Sequence, residues 1–130
     1  MLYKEIDGPI TDMEPDRYKA ICISADFDRD YLDQWHEYRF NGDCLFDGEV
    51  IQLVIKERAY QKPTYVGIRE SLYFLREICW QEEITKVALP LIGCGKNDNW
   101  VMKLNWSHIR GFVYEVFQNT DIDILVALDS

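Results

Sequence analysis

Val87-Ala88-Leu89-Pro90-Leu91-Ile92-Gly93-Cys94-Gly95 is a short apolar run that ends in Gly-Cys-Gly and empties into the polar segment Lys96-Asn97-Asp98-Asn99. An apolar run of this length, bounded by turn residues, reads as a buried central strand. The glycines allow backbone angles and close approaches that a β-carbon would forbid. A buried strand emptying into a glycine loop is where α/β proteins commonly hold a ligand. A plain strand-to-loop turn also needs glycine for its geometry, and the run alone does not separate the two.

The flanking sequence supplies the rest of an α/β pattern. Upstream, Val50 to Lys56 is β-branched and continuous, the clearest strand in the chain. The chain then turns through Glu57 to Tyr65, where Pro63 can occupy a first helical turn. The helix that follows runs to about Trp80, with Ile68, Leu72, Leu75 and Cys79 forming one apolar stripe. Downstream, Asn105 or Ser107 can cap a helix to about Gln118, with Ile109, Val113 and Phe117 on its inner face. Ile122 to Leu128 closes the chain as a strand. Towards the N-terminus, Leu2–Ile6 and Ala20–Ser24 read as strands, and Thr11 to Asp16 as a proline-punctuated loop. Tyr31 to Tyr38 reads as a short helix capped by Asp30. Cys44-Leu45-Phe46 is a small excursion between turn signals. This alternation implies a largely parallel sheet covered on both faces, in one α/β domain spanning residues 1–130.

Composition narrows the class. The chain has 130 residues, 48% of them hydrophobic and 14% aromatic, enough for a core without disulfide or metal staples. No apolar run approaches a membrane span, and the first residues lack the apolar region of a signal peptide. A soluble, cytoplasmic protein is the expectation. The formal net charge of −9 argues against general nucleic-acid binding, which depends on Lys and Arg at phosphates. A single nucleotide held by backbone N–H groups stays compatible with it. Cys22, Cys44, Cys79 and Cys94 are far apart and read as buried free thiols in a reducing compartment. His36 and His108 have no partner at ligand spacing, so no metal site is expected.

Several of these segments, taken in order, resemble the macro domain family. They are Ile55-Lys56-Glu57-Arg58-Ala59, Lys62-Pro63-Thr64-Tyr65, Leu89-Pro90-x-Ile92-Gly93-Cys94-Gly95, Trp106 and Thr120-Asp121-Ile122. The similarity is greatest to the branch of terminal ADP-ribose protein glycohydrolases and related phage and bacterial ADP-ribose-processing proteins. Cys22-Ile23-Ser24-x-Asp26 extends it upstream. The resemblance implies a three-layer α/β/α sandwich around a mixed, largely parallel sheet. It also implies an ADP-ribose cleft at the strand ends and no cofactor. Ile92, Gly93, Cys94, Gly95, Lys96 and Asn97 would then form the phosphate cradle, with Ser24 and Asp26 at the facing loop. Lys56 matches the branch's nucleophile, which attacks the anomeric carbon of the distal ribose. A lysine must shed its proton to act in this way.

Three positions depart from the branch. Its acid two residues after Gly-Cys-Gly is Asn97 here, and an amide cannot act as a general base, which leaves Asp98 as the substitute. The glycine-rich loop expected after Ser24 is replaced by Phe27-Asp28-Arg29-Asp30-Tyr31-Leu32. The Gly-Asp that reads adenine is Gly8-Pro9. Three functions are therefore carried forward. One is an enzyme that hydrolyses ADP-ribosyl linkages to acidic side chains of an ADP-ribosylated protein. Another is an inactive module that binds ADP-ribose or a related nucleotide. The last is a protein-interaction device of phage-inhibitor type that meets a host protein through its acidic face.

Overall fold

The computed structural model describes residues 1–9, 14–26, 40–93 and 104–128. Within them the chain forms β1 (Leu2–Ile6), β2 (Tyr18–Ser24), β3 (Cys44–Phe46), β4 (Val50–Lys56), α1 (Tyr65–Gln81), β5 (Lys86–Leu89), α2 (Trp106–Phe117) and β6 (Asp123–Ala127). The helix expected over Tyr31–Tyr38 lies outside the described residues.

All six strands join one sheet in the order β1-β6-β5-β2-β4-β3. Every ladder is parallel except β3 with β4, as the alternating pattern predicts for a largely parallel sheet. The excursion at Cys44–Phe46 is itself a strand, antiparallel to β4 at the sheet edge. Its three residues are too few to show a period, which hid it in the sequence.

β5 ends sooner than the apolar run suggests. The run to Ile92 reads as one strand, but the ladder stops at Leu89. Pro90 has no N–H to give a neighbour and so ends the pairing. Leu91 and Ile92 continue as irregular backbone, with Ile92 fully buried.

The two helices pack on one face. Side chains alternate along each strand, so Ala20, Leu53, Ile55, Val87, Leu89, Ile124 and Val126 all point towards them and are buried. The predicted stripe Ile68, Leu72, Leu75 and Cys79 is the buried face of α1. Ile109, Val113 and Phe117 do the same for α2. Each such side chain contributes about 1.5–3 kcal/mol on leaving water. Between the helices, Arg69 and the Tyr73 hydroxyl both reach Glu115, each at 2.7 Å. On the opposite face Ile23, Val54, Ala88, Leu125 and Ala127 are buried as well. No helix among the described residues is long and apolar enough to cross a membrane.

Helix ends follow local chemistry. Thr64 caps α1, its Oγ1 accepting from the Gly67 N–H at 3.0 Å, so Pro63 sits just outside the helix rather than in its first turn. At the other end Glu83 adopts a positive φ of 56°, and the Ile84 N–H donates back to the Cys79 carbonyl at 2.8 Å. That is a Schellman closure with glutamate where glycine is usual.

Candidate functional site at the carboxyl edge of the sheet

Parallel strands bring their C-terminal ends to one edge, so Ser24, Lys56 and Leu89 finish side by side in the order β5, β2, β4. After β2 the chain moves towards β4, whereas after β5 it moves the other way, to β6. The strand order therefore reverses between β2 and β5, the type of place where open α/β sheets leave a crevice. The ladder here is short: β2 meets β5 only at Tyr18–Val87 and Lys19–Ala88, yet β2 runs on to Ser24. Beyond Lys19 the β2 strand runs on without a ladder to β5.

The β2 side of the edge is held rigidly. The register with β4 shifts between Ile23 and Ser24, so Ser24 pairs with Lys56, and the Ala25 N–H donates to the Lys56 carbonyl at 2.9 Å. Buried Ser24 donates its hydroxyl to Asp26 Oδ1 at 2.6 Å. That bond, with a backbone N–H from Ala59 and the nearby Arg58 charge, holds the Asp26 carboxyl below its usual range. Ser24 is thus paired with Lys56, and the polar groups of Ser24 and Asp26 are engaged with each other and with the Ala59 N–H, tying two loops together. An ionised Asp26 also sets a negative charge at this edge.

The β5 side is shaped by glycine. Gly93 has a φ of +70°, and its carbonyl accepts from the Leu104 N–H at 3.2 Å. A Cβ there would lie 3.2 Å from Leu104 Cδ1 and 3.3 Å from Ile68 Cδ1. Glycine is needed twice over at this position, for its backbone angle and for its lack of a side chain. Of the expected cradle, Ile92 and Gly93 lie past the end of β5. Cys94, Gly95, Lys96, Asn97 and Asp98 lie outside the described residues.

Both helices begin near this edge. The Thr64 N–H reaches the Ile55 carbonyl at 3.5 Å, and the Asn105 N–H donates to the Tyr65 hydroxyl at 3.0 Å. The Tyr65 ring stacks on His108 with centroids 4.3 Å apart. Neither helix has an acidic residue in its first turn. Both helices thus direct the positive ends of their dipoles to this edge, where Thr64 and Asn105 cap them and the Glu5 carboxylate meets Trp106 in the first turn of α2.

Sequence reasoning missed the supports behind this edge. Glu5 Oε2 accepts from the Tyr3 hydroxyl at 2.6 Å, Trp106 Nε1 at 3.1 Å and Arg110 Nη1 at 3.3 Å, which pins the start of α2 to β1. These bonds hold the Glu5 carboxyl low, with Tyr3 the largest cause. Burial of Tyr3 and its bond to Glu5 push that phenol up. At the opposite, amino-terminal edge of the sheet Arg17 is buried, with Nη1 on the carbonyls of Val87 and Asp123 and on Asp123 Oδ1, at 3.2, 3.0 and 3.1 Å. A buried arginine beside a strand gives no periodic signal. Of the cysteines, Cys44 and Cys79 are buried free thiols and Cys22 is half-buried. Burial pushes the Cys79 thiol up to about 12. A cavity of about 640 Å³ lies at the opposite end of the sheet and shares none of the residues of this edge.

No protein-family model matches the chain. Over 81 residues it is 38% identical to the ADP-ribose glycohydrolase OARD1 of Bos taurus, a match covering 62% of this chain and 50% of that protein. The chain thus spans about half the length (50%) of the curated relatives first matched. In structure, the macrodomain of Thermus aquaticus DarG superposes with a TM-score of 0.76 at 14% identity, over 98% of both chains. Thermosipho africanus DarTG in complex with ADP-ribose gives a TM-score of 0.64 at 14% identity, over 86% of this chain and 38% of that one. The chain has the macrodomain fold. Within that class, the sequence similarity is to ADP-ribose glycohydrolases.

Proposed function

We propose that the chain binds ADP-ribose in the crevice between β2 and β5 and hydrolyses ADP-ribosyl linkages to acidic side chains, with Lys56 as the nucleophile. The observation that carries this reading is the register pair Ser24–Lys56, which sets the lysine at the carboxyl edge beside the strand-order reversal. Two helix N-termini without acidic first-turn residues and the glycine turn at Gly93 support a diphosphate next to it. Similarity to proteins named as ADP-ribose glycohydrolases supports the reaction class. In that reaction the neutral Lys56 amine bonds to the anomeric carbon while the carboxylate of the modified side chain leaves with the bonding pair. Water then cleaves the lysyl adduct, with Asp98 as the proton-transfer group. Calorimetric titration with ADP-ribose is the direct test. Saturable binding is expected, and no heat at millimolar ADP-ribose would remove the proposal.

A second reading, binding without hydrolysis, is favoured by Asn97, an amide where the glycohydrolase branch has an acid. Incubation with a protein ADP-ribosylated on glutamate separates the two. Binding of ADP-ribose with no release of the modification would select the inactive module.

A further inference from the structure

The end of the sheet opposite Lys56 carries a second concave feature. Both helices finish there, and the segments leading into β5 and β6 close a cavity of about 640 Å³ between them. Its floor is apolar: Cys79, Ile84, Val116 and Ile122 are each at most 7% exposed. Trp80 forms one wall and is 80% exposed. Tryptophan is enriched at contact surfaces, and here the exposed indole adjoins an apolar floor.

The charge around this cleft is mostly negative, with Glu115 paired to Arg69 and no ion pair on Glu83 or Asp121 among the described residues. Its lining holds one cationic side chain, Arg76, against the carboxylates of Glu77, Glu83, Glu115 and Asp121. Arg76 is already engaged: it donates to the Val116 carbonyl at 3.4 Å, lies 3.9 Å from Glu77 and sits 4.9 Å over the Tyr73 ring. The negative ends of both helix dipoles also face the cleft, and neither helix has a basic residue in its last turn. An apolar floor and an open indole in a negative field suit a cation on an aliphatic stem. The volume exceeds what one side chain fills and falls within the range of ligand pockets.

We propose that this cleft docks a basic segment of a partner polypeptide, with an arginine or lysine side chain over the Trp80 indole and an apolar neighbour against Ile84 and Val116. The charge complementarity and the apolar floor together select this occupant over a free ion or an anionic ligand. The site is separate from the carboxyl edge, so a partner held here leaves the Lys56 crevice open.

The test titrates the isotope-labelled full chain with an acetylated, amidated peptide Gly-Arg-Leu-Arg-Gly, read by amide chemical shifts. The comparison peptides are Gly-Glu-Leu-Glu-Gly and Gly-Gln-Leu-Gln-Gly. Saturable shifts confined to 76–85 and 116–122 are expected with the arginine peptide alone. Trp80→Ala should weaken binding about fivefold or more, the loss of one cation–π contact. That substitution leaves the formal charge at −9, so a general attraction to an acidic surface would survive it. Equal binding by the variant, shifts spread over the acidic surface, or no binding at millimolar peptide would overturn the proposal. Equal binding of the uncharged peptide would also overturn it. So would dimerisation in sedimentation that Trp80→Ala abolishes, because the occupant would then be a second copy.

Discussion

The Ala25 N–H donates to the Lys56 carbonyl at 2.9 Å, tying the loop that leaves β2 to the last residue of β4. The bond uses only main-chain atoms, so the Lys56 side chain is not needed to hold the edge together. Lys56→Ala should therefore change stability by no more than about 0.5 kcal/mol in urea unfolding. The same variant should bind ADP-ribose in calorimetry but release no ADP-ribose from a modified glutamate. Full turnover in Lys56→Ala would reject the lysine mechanism and leave the binding reading in place.

Gly93→Ala should destabilise the protein by about 1–3 kcal/mol, from left-handed strain and from crowding of Leu104 and Ile68. Denaturant midpoints measure it. If the midpoint does not move, Gly93 is not held in this conformation in solution.

At the far end of α1, Glu83→Gly should act the other way. Removing the β-carbon from a residue at φ 56° relieves about 1 kcal/mol, offset in part by glycine's greater freedom in the unfolded chain. A small rise in melting temperature is the expected result. A fall would mean that the Glu83 side chain holds the helix end in some further way.

The Tyr3–Glu5 bond makes stability depend on pH at both extremes. The Glu5 carboxyl is depressed in the fold, so its contribution is full above the usual value of 4.5 and is lost as pH falls through the lower folded value. Tyr3 is raised, so the unfolded chain ionises first and stability falls as pH climbs past 10.0. Glu5→Gln should cost about 1–2 kcal/mol at neutral pH, because a charged acceptor shared by three donors is replaced by an amide. It should also flatten the acid limb of the profile. An unchanged acid limb in thermal scans from pH 3 to 7 would place the sensitivity elsewhere.

The fold was legible because it rests on local patterns. The stripe Ile68–Cys79 and the run Val50–Lys56 each bury one face, and a period announces that whatever the neighbour is. The end of β5 was misread because Pro90 looked like part of an apolar run, although the missing N–H was there to see. The resemblance names Ser24, Asp26 and Lys56, but the hydroxyl-to-carboxylate lock between the first two leaves no sign in the sequence. Nothing in Ser-x-Asp says whether its polar atoms turn outward to a ligand or inward to each other. Glu5 with Trp106, and Tyr65 with Asn105, join residues far apart in the chain, and such pairs leave no local trace.

The ladder between β1 and β6 matches Leu2 with Asp123 at one end and Ile6 with Ala127 at the other. Nearly the whole sequence lies between these partners, and β6 is the strand on which β1 rests. During synthesis, β1 must therefore leave the ribosome long before its partner exists. Its exposed Leu2 and its unpaired amides wait in the nascent chain until residue 127 emerges. Completion of the sheet therefore waits for β6. A chain stopped short of Asp123 would lack the partner of β1 and the outer neighbour of β5, leaving unpaired strand edges free to pair with another polypeptide.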